Sequence, residues 1–142
     1  MAESAGKDEL VAFLNELLEA ERAGAKVTLE TAKACRDPAI AALMTDIQHD
    51  EARWCAMLLR QIKALGGDAS PRMGAFYDKA MAIGEIPARL AFLNRGQGWV
   101  VKKLREMSPR VTDDALRADL VEMLDSHVTN IARANAADAS RP

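Results

Sequence analysis

Between Ile47 and Gly67 the chain reads IQHDEARWCAMLLRQIKALGG, and it has the period of one long helix that stops at two glycines. Ile40, Met44, Ile47, Cys55, Leu58, Ile62 and Leu65 recur at three- and four-residue steps and share one face. Glu51 stands in the middle of that face, where leucine is expected. A carboxylate in a buried stripe is costly unless a partner compensates it. The rest of the chain must therefore bring a second helix, or a cation, to Glu51.

The punctuation of the sequence divides the other residues into helices of similar length. Leu10, Leu14, Leu17, Leu18, Ala25, Thr28 and Ala32 line one face of a first helix, with Glu21 at the centre of the stripe. Asp37-Pro38 ends it and starts the second helix, with Asp37 as N-cap and proline at the first helical position. Gly66 is placed to take the left-handed conformation that closes the second helix. Residues 66–86 carry Ser70-Pro71 and Gly84, with a short helical segment over 74–82 and Pro87 just beyond, and are expected to form a crossover. A connection of that reach makes the second and third helices parallel. Ile86, Leu90, Leu93, Val100, Val101 and Leu104 form the third stripe around Gln97, and Ser108-Pro109 ends it. Thr112 is the expected cap of the fourth helix, whose stripe is Leu116, Leu120, Met123, Leu124, Ile131 and Ala134 around His127. The expected helices cover about 7–35, 38–65, 86–107 and 113–136 of a single all-α domain, with a frayed tail after Ala136.

Composition supports this and removes several functions. Hydrophobic residues make up 49% of the 142 but aromatics only 4%, a mixture that favours helix over sheet. The formal net charge of -2 gives no basic footprint for nucleic acid and no polybasic membrane patch. No apolar run approaches the roughly 20 residues of a membrane span. MAESAGKDEL lacks the basic-then-apolar order of a secretory signal, and Cys35 and Cys55 form no CxxC pair. The cytoplasm is the expected compartment.

Each of the four helices thus places one polar residue near mid-stripe: Glu21, Glu51, Gln97 and His127. LNELLEAERAGA, Leu14 to Ala25, resembles the first helix of bacterioferritins and rubrerythrins. DEARWCAMLLRQIKALGG, Asp50 to Gly67, resembles the ExxH helix of the same superfamily. The resemblance implies a ferritin-like four-helix bundle with a crossover between its second and third helices. That family builds a di-iron site from a glutamate on the first and third helices and an ExxH on the second and fourth. Here Trp54 stands where the histidine of the second helix belongs, Gln97 where the third helix has glutamate, and Leu124 where the fourth has its own. Glu21, Glu51 and His127 remain as metal ligands, enough for one divalent ion with open positions.

Two alternatives stand side by side. One is a divergent ferritin-like protein that binds a single iron, manganese or zinc ion and has a redox-related role. The other is a metal-free bundle serving as a structural or interaction module, in which His127 compensates the carboxylates and Arg22, Arg53 or Arg95 turns inward. Neither assigns a reaction or a substrate. Asp46 and His49 have ligand-like spacing but lie about 140° to 160° around the helix from Glu51, so they are expected to face outward. Cys35 and Cys55 follow the apolar stripes and are expected in the core. Phe92 and Trp99 sit seven residues apart on an outer face. Either the crossover covers them through Phe76 and Tyr77, or they dock a second copy of the chain as a homodimer.

Overall fold

The computed structural model describes residues 3–139, and among them every regular element is helical. The order is α1 (Lys7–Ala34), α2 (Pro38–Ala64), the short α3 (Phe76–Met81), α4 (Ile86–Met107), a single 3-10 turn (Ser108–Arg110) and α5 (Asp114–Ala139). The fourth long helix thus runs past the expected end at Ala136 to Ala139, and the expected tail from 140 onward lies outside the described residues.

The helix ends follow from local chemistry. Asp37 accepts hydrogen bonds from the backbone N–H of Ala39 at 2.9 Å and Ile40 at 3.4 Å, and Pro38 needs no partner for its nitrogen. Gly66 has φ of 75°, while its N–H donates to Lys63 and that of Gly67 to Ile62, the paired bonds that close a helix on a left-handed residue. The start of α5 corrects one expectation. Asp113, not Thr112, is the cap, its carboxylate accepting from the N–H of Leu116 at 2.9 Å. Aspartate ranks above threonine as a cap, and the helix begins one residue later than expected.

Two apolar clusters fill the interior, one toward each end of the helices. The first gathers Leu10, Leu14 and Leu17 of α1, Leu58 and Ile62 of α2, Val100 and Leu104 of α4, and Leu116 and Leu120 of α5. The second gathers Val27, Ile40, Met44, Ile47, Leu90, Leu93 and Ala134. Each fully buried leucine contributes about 1.5–3 kcal/mol relative to an exposed one. A truncation such as Leu58→Ala, at a position with no solvent exposure, costs about 2–5 kcal/mol. The charged residues between these clusters therefore sit in the driest part of the molecule.

The 66–85 segment is fastened along its route. Arg22 donates to the carbonyls of Ser70 and Arg72, Asn15 to that of Asp68, and the Ser70 hydroxyl to Glu19. Phe76 stacks on Phe92 with centroids 4.9 Å apart, and a Cβ at Gly96 would lie 2.7 Å from the Phe76 ring. The missing side chain at Gly96 is what lets Phe76 lie flat on α4. The connecting segment thus covers Phe92, as one of the two expectations had it, and leaves Trp99 41% exposed.

Candidate functional site

α1, α2 and α5 each carry one chargeable side chain into the gap between the apolar clusters. Glu21, Glu51 and His127 are 2%, 3% and 2% exposed, so their polar ends are out of water. One ligand atom from each lies within 4.8 Å of the others. His127 Nε2 is 2.8 Å from Glu21 Oε1 and 4.0 Å from Glu51 Oε2. Gln97 of α4, 3% exposed, lies close by and completes the four polar residues expected at mid-stripe.

The backbone orients the imidazole. His127 Nδ1 lies 2.9 Å from the Met123 carbonyl, which can only accept, so Nδ1 carries the hydrogen. Nε2 is thereby turned toward the carboxylates, and the same geometry holds metal-binding histidines in one tautomer. Glu21 Oε1, Glu51 Oε2 and His127 Nε2 have no hydrogen-bond partner of good geometry, and neither amide atom of Gln97 has one. Burial raises the Glu21 carboxyl to about 7, while its hydrogen bond with Glu51 works in the opposite direction. Glu51 is raised well above the carboxylate range, by burial first and then by the charge of Glu21. Near neutrality this pair holds protons, or a cation in their place.

A glycine makes room for the cluster. A Cβ at Gly24 would lie 3.0 Å from Glu51 Oε1 and 3.1 Å from its Cδ, so the Glu51 carboxylate rests directly on the backbone of α1. The sequence stripe passed over Gly24 because glycine has no hydrophobic signal. Its value is the space it leaves.

One residue earlier on α2 a second polar group is built quite differently. Asp50 Oδ2 accepts from Asn130 at 2.9 Å and from the Ser126 hydroxyl at 3.5 Å. That hydroxyl in turn accepts from the Trp54 indole N–H at 3.3 Å. Trp54, only 2% exposed, fills the position where the resemblance calls for a histidine ligand. Asn130 and Ser126 were not singled out from the sequence, since a polar residue beside an apolar stripe looks like a helix surface.

Other sequence candidates fall outside the cluster. Asp46 pairs with Arg133 at 2.8 Å and His49 is exposed, so both face outward as expected. Arg22, Arg53 and Arg95 do not turn inward. Arg22 is held by the connecting segment, Arg53 by Glu122, and Arg95 lies over the Phe92 ring. Inward rotation would cost each guanidinium its hydration, and outer partners are at hand. Cys35 and Cys55 are half-buried and free rather than fully in the core. The Cys55 thiol is pushed up to about 12 by burial and then by the nearby Glu21 and Glu51, so it stays protonated.

Glu21, Glu51, Gln97, a cavity of about 410 Å³ and the connecting segment are neighbours. The cavity wall is almost wholly apolar, lined among others by Met73, Phe76, Phe92, Trp99 and Val100. Among the described residues no helix is long and apolar enough to cross a membrane.

Fold and site define an all-helical protein with a buried two-carboxylate, one-imidazole centre. Residues 8–137 match the family model described as a domain of unknown function (DUF6306), and the chain belongs to that family. No curated protein matches the chain.

Proposed function

We propose that the protein is a divergent ferritin-like four-helix bundle that binds one divalent metal ion through Glu21, Glu51 and His127. The observation that carries this is the set of three potential ligand atoms, one from each buried side chain, gathered within 4.8 Å of one another. Two ligands about 2.1 Å from one ion at a tetrahedral angle stand roughly 3.4 Å apart, and the 2.8 and 4.0 Å separations straddle that value. Two carboxylates and a neutral imidazole suit iron, manganese or zinc. A bound ion also removes the repulsion that otherwise forces protons onto Glu21 and Glu51. The redox-related role belongs to iron or manganese at such a centre, and zinc would leave it without one.

The bundle reading rests on how the two apolar clusters are shared. The C-terminal parts of α2 and α4 meet in one cluster and their N-terminal parts in the other, so these helices run the same way. Residues 66–85 must then return the length of the molecule, as a crossover does. α1 packs mainly on α2, and α4 on α5.

A second reading has its own observation. The 2.8 Å contact between His127 Nε2 and Glu21 Oε1, with Glu21 raised to about 7, suits a proton held between them without any metal. The protein would then be a structural or interaction module. Metal analysis of protein purified without chelators decides between the two. The metal reading expects about one ion per chain, lost in His127→Ala together with the thermal stabilisation that the ion supplies. Background metal in the unsubstituted protein, unchanged after addition of zinc, manganese or ferrous iron, would overturn it in favour of the dry cluster.

A further inference from the structure

The apolar cavity beside the centre is not explained by metal binding, which needs only three ligand atoms and a little space. Its volume of about 410 Å³ falls in the range of small-molecule sites. Phe76, Phe92, Met73 and Val100 supply an apolar wall, and half-exposed Trp99 stands at its rim. The polar residue that distinguishes it is Gln97. Its amide is buried, and both the oxygen and the nitrogen lack a partner. An unsatisfied amide costs about 1–3 kcal/mol for each idle group, so a guest that completes it is favoured by a comparable amount. Gln97 is one of the residues that line the cavity, and rotation about its side-chain torsions is the movement that would present the amide there.

We propose that this cavity binds a small, mostly apolar molecule with one uncharged head that both donates and accepts a hydrogen bond, as a carboxamide or a protonated carboxylic acid does, and that Gln97 reads that head. The chemistry of the amide selects the class. Gln97 offers an acceptor oxygen and a donor nitrogen side by side, and a carboxamide or carboxylic acid answers both at once. A carboxylate offers acceptors only, and an ammonium donors only. Either one leaves half of Gln97 idle and must also shed its hydration against aromatic and aliphatic walls. Arg95 is the one cation in the lining, against Glu19, Glu21 and Glu51, so an anionic head gains no net positive surroundings. The body of the ligand is selected by the stacked Phe76 and Phe92, whose rings are fixed by the gap at Gly96.

The test uses the full chain as purified and phenylacetamide as the probe, with phenylacetate and phenethylammonium as charged comparators of the same size. Calorimetric titration at neutral pH, checked by Trp99 fluorescence, should give saturable one-to-one binding of phenylacetamide. Both charged comparators should bind roughly tenfold more weakly or worse, the value of one or two idle hydrogen bonds. Gln97→Leu should weaken phenylacetamide by a similar factor and abolish the preference over the charged forms. Ala75→Trp, which fills the cavity from the connecting segment, should prevent binding of all three, and circular dichroism verifies that each variant is folded. His127 does not line the cavity. His127→Ala, which removes a proposed metal ligand, should therefore leave phenylacetamide binding in place, so the metal and cavity proposals fail separately. Absence of saturable binding by the unsubstituted protein would overturn the proposal. So would equal binding of the three probes, or binding indifferent to both Gln97→Leu and Ala75→Trp.

Discussion

Asp50 and Glu51 are neighbours on α2, yet they enter opposite kinds of environment. Asp50 faces α5 and is completed by Ser126 and Asn130, with Trp54 closing the chain of hydrogen bonds. Glu51 faces the centre beside Glu21 and His127, and its Oε2 has no hydrogen-bond partner. A finished polar network makes an interface specific and asks for nothing further. An unfinished one in a dry interior stores a cost that protonation or a guest relieves. That contrast separates the part of the polar interior that holds helices together from the part able to bind.

The largest expected separation comes from removing one carboxylate of each kind. Glu51→Gln keeps the shape of the side chain but loses the proposed anionic ligand, and on the metal reading affinity should fall by about a hundredfold. The metal-free protein should unfold at nearly the same temperature, because the protonated carboxyl and the amide are similar there. Asp50→Ala should do the reverse. Stranding Asn130 and Ser126 should cost about 1–3 kcal/mol in denaturant unfolding while metal stoichiometry stays unchanged. If the two variants behaved alike in both measurements, the division between the networks would be wrong.

Gly24→Ala divides stability from binding at a single atom. Alanine should favour the middle of α1 by about 0.5–1 kcal/mol, while the added methyl group, 3.0 Å from Glu51 Oε1, displaces the proposed ligand. Unfolding should change little, and metal affinity should fall by roughly tenfold. Unaltered affinity would show that Glu51 is not a ligand.

The last comparison is the dependence on pH. Glu21 is raised from 4.5 to about 7, so the metal-free folded state holds a proton that the unfolded chain has released. Its contribution to stability is full below about 4.5 and is lost as pH rises through about 7, and Glu51, also raised by burial, changes in the same direction. The unfolding temperature of metal-free protein should therefore decline across that window, and less steeply in Glu51→Gln. Metal affinity should rise over the same window, since protons and metal compete for the same oxygens. A metal-free midpoint that rises with pH would contradict the assignment of Glu21 as a buried acid.

Helices, the Asp37 cap, the Gly66 stop and the inward position of three chargeable residues were legible because they are local or periodic properties, whereas the cap of α5 fell one residue later than expected. Proline after Asp37 and glycine after Leu65 mark helix ends through steric rules that act within a few residues. A carboxylate in an apolar stripe announces burial, because the helix repeat fixes its face before any partner is known. The convergence of Glu21, Glu51 and His127 could be proposed on that basis, but their separations could not. Distances between helices depend on how side chains interlock across 3.6-residue surfaces, and no short window of sequence contains that information. The same limit hid the space at Gly24, the Asp50–Ser126–Asn130 network and the cavity beside Gln97. Each arises where residues far apart in the chain meet, and each is decided by close packing, in which one absent Cβ determines whether a carboxylate or a ring finds room.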